Sequence, residues 1–324
     1  SDINGHDQEG VGFYQTTTKN GERASTSKTF LKSVINRLEL TLLTQALVHK
    51  IDIKNGTATS VRFSQEGKDV QTVQVRKEVI VSAGAIGSPK VLLLSGIGPK
   101  QHLEDVGIEC VQELPVGDNF HDHLHMSVNA TVTTENSLLG EDKGMKAIKH
   151  GLQWYLTRSG LLTSNILEGA GFIDTSNFGR PDVQFHFLPV LDNFDNTPGE
   201  KAVAAEHGLT IKVGHIQPKA RGTVRLNSSN PNDFPVIDPN YLGHQDDIDA
   251  NIRAVQAGLR LLQQPALKSI IKDVIEPANI DADDSKAIDQ WMRQNIKTVY
   301  HPAGSCKMGN DPKDAVVDQN LKVH

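Results

Sequence analysis

Val79-Ile-Val-Ser-Ala-Gly-Ala-Ile-Gly-Ser-Pro-Lys-Val-Leu-Leu-Leu-Ser-Gly-Ile-Gly-Pro99 is the stretch on which the fold turns. The apolar run Val79–Val81 closes a segment, Gln71–Ser82, that reads as a buried strand. Ala83–Gly87 follows as a turn of small residues, which lets the backbone approach another molecule closely. Ser88 is placed to cap a helix and Pro89 to open it, giving a helix over Lys90–Leu94. Gly96 and Gly98 stop that helix, and Pro99–Val106 reads as a second short one. Strand, tight glycine-lined turn, helix is the order of a nucleotide-binding α/β unit.

Upstream, Leu40–Leu43 and Ala46–Ile53 read as extended. Asn55-Gly56 predicts a hairpin turn into Ala58–Phe63. Downstream the grammar changes at about Met126. Val183, Phe185 and Phe187 alternate with Gln184, His186 and Leu188, as in a half-buried strand. Leu209–Ile216 and Gly222–Leu226 look similar, joined by a turn at Lys219–Arg221. Gly144–Thr157, Asp246–Gln263 and Asp284–Lys297 carry helical spacing, the second with Ile248, Ile252, Val255, Leu259 and Leu262 on one face. The fold expected is therefore α/β, with an α+β second part: a partial Rossmann-like domain, then a mixed or antiparallel sheet backed by helices.

Composition excludes several classes. The 324 residues carry 33 basic and 39 acidic side chains, a formal charge of -6 spread along the chain. No basic cluster is available to hold a phosphate backbone, so nucleic acid is not an expected partner. The longest apolar runs are far too short to span a bilayer. Two cysteines, Cys110 and Cys306, lack metal spacing and cannot make a disulfide framework, which favours a reducing, cytoplasmic compartment. Attachment to the periphery of the inner membrane stays open.

Five blocks, in order, carry a resemblance. They are Ser82–Pro99, Val116-Gly-Asp-Asn-Phe-His-Asp-His123, Pro218-Lys-Ala-Arg-Gly-Thr-Val-Arg-Leu226, Pro235-Val-Ile-Asp-Pro-Asn-Tyr241, and Tyr300-His-Pro-Ala-Gly-Ser-Cys-Lys-Met-Gly309 with Ala315-Val-Val-Asp318. Together they resemble the glucose–methanol–choline (GMC) oxidoreductases over nearly the whole chain. Gly21–Thr26 and Ser164-Asn-Ile-Leu-Glu-Gly-Ala-Gly-Phe172 lean toward the choline-dehydrogenase-like and aliphatic-alcohol members. The resemblance implies FAD as cofactor, a small alcohol as substrate and an electron acceptor that the motifs do not identify. It implies an FAD-binding part over residues 1–125, a substrate part over 126–300 and a return to the FAD-binding part over 301–324. His301 is implied as the base for the substrate hydroxyl, projecting where the two parts join. Val48, Ala83 and Gly84 are implied to hold the adenosine half of FAD. Glu168 is a candidate anion for a cationic alcohol such as choline, against the plainer reading of a solvated carboxylate.

The family's phosphate-binding turn is missing: Gly96-Ile97-Gly98 is followed by Gln101 and Gly169-Ala170-Gly171 by Asp174, where a third glycine would stand. The chain is thus expected to be truncated at both ends, to carry no FAD by itself and to be inactive alone. Two other readings compete. His121, His123 and His125, alternating in an extended segment, would form a hydrolase metal site if they converged. A catalytically silent binding module on the same scaffold is the other.

Overall fold

The computed structural model describes residues 2–191 and 206–324, which form two compact units. The first unit comprises residues up to Arg37, His123–Pro218 and His244–Val299; the second comprises Leu38–Asp122, Lys219–Gly243 and Tyr300–His324. Residues 1–37 and 219–243 thus fall on the other side of this division from the boundaries expected from sequence.

The first unit is an antiparallel sheet. Its strands run in the order Gly10–Phe13, Gly169–Ile173, Val183–Leu188, Gly208–His215, Leu124–Val132, Ile271–Glu276, and Lys297–Thr298 pairs with the Leu124–Val132 strand as well. Partners that face each other across a ladder share a face of the sheet. Ile211 opposite Val128 and Val213 opposite Met126 therefore form one apolar face, and all four are fully buried. The helix Gln245–Leu262 lies on that face through its own buried residues Ile248, Val255, Leu259 and Leu262. Gly258 is what lets it sit so close, since a Cβ there would stand 2.8 Å from Val213 Cγ1 and 3.3 Å from Val128 Cγ2. The helix Ser285–Asn295 packs beside it, its first turn capped by Asp284, whose carboxylate accepts the Ala287 N–H. The expected helix Gly144–Thr157 forms with those bounds but buries none of its side chains.

The second unit is built on a three-stranded antiparallel sheet, Ala46–Lys54, Thr57–Gln65 and Gln71–Gln74. Asn55 and Gly56 both take positive φ, 50° and 72°, as the twist of a tight hairpin requires. A helix packs on the first strand, and Ser95 near its end ties the two together by donating to Val91 O and accepting the N–H of buried Ile51. Leu92, Leu93, Leu94, Ile97, Leu103, Leu114 and Val116 form the core beneath it.

Four local expectations are corrected here. The helix spans Gly84–Leu94, so it starts six residues before Lys90, and Pro89 lies inside it. Ser88 does not cap a helix start; its Oγ accepts the Ala83 N–H. Val79–Val81 belongs to no strand and Ile80 is 79% exposed. A strand needs a neighbour for its N–H and C=O groups, and among the described residues none pairs with this run. Leu40–Leu43 is likewise outside any strand. Parallel pairing among the described residues is limited to Ile97–Gly98 with Gln112–Glu113 and one bridge between Met308 and Val317.

Buried His215 ends the Gly208–His215 strand, and its N–H donates to Asn251 Oδ1 of the packed helix at 3.3 Å. Burial pushes its imidazole pKa below the ordinary value of 6.5, with Asp247 opposing the shift. The folded state then binds its proton less readily than the unfolded chain, so this group stabilises the fold above pH about 6.5 and loses that contribution as pH falls toward the lowered pKa. Thermal melts between pH 7.5 and 5 should show this loss, and His215→Asn should flatten the profile; an unchanged slope in the variant would count against it.

Candidate functional site

In the second unit, the segment Tyr300–Ser305 has no regular structure of its own and is moored by the loop Gly117–Asp122. His121 and Ala303 exchange both backbone hydrogen bonds, at 3.0 and 2.9 Å. Gly117 N–H donates to Ser305 O at 2.8 Å, and the Asn119 amide donates to Gly304 O at 3.2 Å. Gly304 sits at φ +89°, where an added Cβ would stand 2.3 Å from Asn119 O, so no other residue fits without moving that backbone. Tyr300 holds a left-handed φ of +63° just before His301, a position that costs strain for a residue with a side chain. Pro302 keeps His301 out of helical geometry. The exposed His301 is thereby carried on a backbone fixed on both sides.

The same segment reaches the glycine-lined helix. Pro89 has no N–H, so the carbonyl four residues earlier, Ala85 O, loses its helical donor. The Ser305 hydroxyl supplies one by donating to Ala85 O, and Ser305 is only 2% exposed. Ala83 and Gly84, at the N-terminal end of that helix, are exposed. Gly84 takes φ +77°, with nothing within 4 Å of where a Cβ would stand. Val48 lies on the edge strand on which the helix packs and is 36% exposed. Small, exposed residues with open space before the backbone fit a group that lies flat against the chain.

The first unit presents a second cluster, on the sheet face away from the Gln245–Leu262 helix. Register places Ser127, Asn129, Gln184, His186, Thr210 and Lys212 there. Thr210 Oγ1 donates to Asn129 Oδ1, and Asn129 Nδ2 donates to Glu276 Oε2 at 2.7 Å. Gln184 Nε2 donates to Tyr14 Oη at 2.9 Å, and Tyr14 Oη lies 2.6 Å from His186 Nδ1. Burial pushes the Tyr14 phenol up to about 12, the Gln184 bond opposing, so the phenol keeps its proton beside His186. This cluster was not singled out from sequence; His186 and Gln184 read only as the polar half of a strand. The signal available was that the alternation puts glutamine, histidine and lysine side by side on a face that a plain sandwich would leave to solvent.

Glu168 is exposed and lines a cavity of about 340 Å³ in this unit, with Ile166, Phe187, Leu188, Thr210 and Ile270. Ile166 holds φ +67°, which a β-branched residue adopts only under strain, and such strain often marks a binding segment.

The metal reading is not supported. Among the described residues no group of three or more His, Cys, Asp or Glu is arranged to hold an ion. His121 Nδ1 donates to Asn119 O at 2.7 Å, and His125 Nε2 accepts from Lys212 Nζ at 3.2 Å. An imidazole nitrogen that accepts from an ammonium has no lone pair left for a cation. The alternation argument failed because the strand begins only at Leu124, after His121 and His123. Burial pushes the Cys306 thiol up to about 11, which keeps it protonated and unreactive.

Two family models, both described as GMC oxidoreductase, match residues 1–125 and 218–324. The chain belongs to the GMC oxidoreductase family. It is 37% identical over 330 residues to an "Alcohol dehydrogenase [acceptor]" of Pseudomonas putida, covering 99% of this chain and 58% of that protein. It is 38% identical over 328 residues to "Oxygen-dependent choline dehydrogenase 1" of Chromohalobacter salexigens, covering 100% and 57%. The chain therefore spans little more than half the length of these GMC relatives. A formate oxidase of Aspergillus oryzae shares the fold with a TM-score of 0.86 at 24% identity, covering 98% of this chain and 59% of that one. Pyridoxine 4-oxidase from Mesorbium loti does so with a TM-score of 0.82 at 24% identity, covering 99% and 58%. These likenesses bear out the expected fold class and GMC membership. Among the described residues no helix is long and apolar enough to cross a membrane.

Replacing Ser305 by Ala removes the buried hydroxyl that donates to the half-buried Ala85 carbonyl, a loss of about 0.5–1.5 kcal/mol. Urea unfolding should show that decrease; an unchanged midpoint would mean that another group satisfies Ala85.

Proposed function

We propose that the protein containing this chain oxidises a primary alcohol to the aldehyde, with FAD as cofactor and His301 as the base for the substrate hydroxyl. The observation that carries the reading is the agreement of the whole chain, at 37–38% identity, with one relative named for alcohol and one named for choline. Val48, Ala83 and Gly84 would hold the adenosine half of FAD by backbone contact, leaving room for the purine and ribose. When bound, FAD supplies the two-electron acceptor for the hydride that leaves the carbinol carbon. The chain supplies the other half of the reaction.

An alcohol is far too weak an acid to ionise alone near neutral pH, so its O–H proton must leave as the C–H bond breaks. Histidine, with an unperturbed pKa of about 6.5, is matched to that transfer. One C–H and one O–H bond break, a C=O bond forms, and the proton rests on the imidazole of His301. Fixing the backbone on either side of His301 sets the point from which the imidazole projects, and placement of the base is where much of its effectiveness lies.

For the substrate we favour a cationic alcohol of the choline class. The cavity beside Glu168 pairs a carboxylate with apolar walls, including the ring of Phe187. A quaternary ammonium needs that combination: low-cost desolvation, an aromatic neighbour and one negative charge. An aliphatic alcohol would use the walls and gain nothing from the carboxylate.

In the flavin-loaded protein, His301→Ala should retain FAD and slow anaerobic flavin reduction by about 10²–10⁴-fold; reduction at near the parental rate would place the base elsewhere. Glu168→Gln should raise the KM for choline roughly tenfold, the effect of losing about 1–2 kcal/mol of partly desolvated charge contact, and leave a neutral alcohol such as 1-butanol nearly unaffected. Equal changes for the two alcohols would make Glu168 a structural residue.

A further inference from the structure

The two residues that flank the His301 turn are paired with the chain opposite. Val299 N–H donates to His123 O at 3.1 Å, and Ala303 exchanges bonds with His121. Three residues lie between Val299 and Ala303, but only one, Asp122, lies between His121 and His123. The 300–302 side must therefore bulge outward, as an unequal ladder does. The left-handed Tyr300 is the residue that makes the bend. A bulge leaves backbone donors without a ladder partner. Pro302 has no N–H, which leaves the Tyr300 and His301 N–H groups as the donors of the bulge.

Asp122 meets that of His301. Its Oδ1 accepts the His301 N–H at 2.9 Å, and its Oδ2 accepts the Tyr241 hydroxyl at 2.9 Å. The carboxylate is 6% exposed, so both bonds are made out of bulk water, where charge-assisted bonds are strongest. Tyr241 comes from the turn after the Val236–Asp238 strand, whose neighbours Asn240 and Leu242 both hold left-handed φ, 51° and 57°. The carboxylate is thus gripped from one side by a constrained turn and grips the bulge from the other.

We propose that Asp122 is the positioning residue of the reaction: it sets the backbone, and through it the imidazole, of His301, with Tyr241 holding Asp122 in turn. Asp122 acts through His301, so the proposal rests on the reading of His301 as the base. A carboxylate suits the task because one side chain binds a backbone donor on one oxygen and a phenol on the other.

The test compares Asp122→Ala, Asp122→Asn and Tyr241→Phe with His301→Ala, all in the flavin-loaded protein. Hydrogen exchange of the 299–305 segment serves as a readout independent of turnover. Asp122→Asn keeps an acceptor oxygen for the His301 N–H and an amide for the Tyr241 oxygen. It should hold exchange and flavin reduction within about threefold of the parent, the rescue expected when only the hydrogen bonds matter. Asp122→Ala should speed exchange at the His301 amide at least about tenfold and slow flavin reduction by about 10–100-fold, with KM changed little. Placed on top of His301→Ala, it should add no further loss in rate, whereas two independent losses would multiply. Tyr241→Phe should move both readouts the same way but only a few-fold, and it decides the matter if Asp122→Ala fails to fold. If His301→Ala is slow while Asp122→Ala and Tyr241→Phe match the parent, the positioning role is wrong and the base stands. Should His301→Ala itself reduce its flavin normally, the base and the positioning role fall together. Multiplicative losses in the double variant would reduce Asp122 to a structural residue.

Discussion

A short irregular segment, residues 300–305, depends on the loop 117–122 for nearly everything that fixes it. It has no ladder or helix to satisfy its backbone, so every polar group needs a partner from elsewhere. The paired bonds between His121 and Ala303, the Gly117 bond to Ser305 O and the Ser305 hydroxyl on Ala85 O meet that need. These contacts also join the turn that carries His301 to the helix whose N-terminal end, Ala83 and Gly84, is the proposed flank of the cofactor. One constraint thus acts at two places: the carbonyl that Pro89 leaves without a donor is satisfied by the block that presents the imidazole.

The sheet unit solves a different problem. One face is apolar and covered by the Gln245–Leu262 helix, with Gly258 permitting close contact. The other face is polar and partly buried, Asn129 and Thr210 fully so, and its groups are joined in pairs: Thr210 to Asn129, Asn129 to Glu276, Tyr14 to His186. Buried polar groups are costly unless satisfied. Paired side chains of this kind hold each other in set rotamers.

Much of this was legible in the sequence where local chemistry decides. The Gly144–Thr157 helix, the Asn55-Gly56 hairpin and the Val183–Leu188 strand follow from spacing and turn preference alone, and their bounds agree closely with expectation. Three expectations failed where partners at a distance decide. Val79–Val81 is apolar enough for a strand but has no described neighbour to pair with. The helix at Gly84 begins before Pro89 because Ser305, more than two hundred residues later, supplies the donor that the proline lacks. The alternation of His121, His123 and His125, on which the competing metal reading rested, fails because the segment is a loop until Leu124. His301 is proposed from its sequence block alone, whereas the contacts of Asp122 with His301 and Tyr241 depend on a bulge that no local pattern announces.

The account's central claim is that the imidazole of His301 meets the substrate hydroxyl. The most direct measurement is a crystal structure of the flavin-loaded protein with a slowly reacting alcohol or a product-like ligand bound. The account predicts an imidazole nitrogen of His301 within about 2.6–3.2 Å of the ligand oxygen, the reach of a general base, with the His301 N–H still on Asp122. A ligand oxygen bonded to some other side chain, with His301 turned away from it, would contradict the claim.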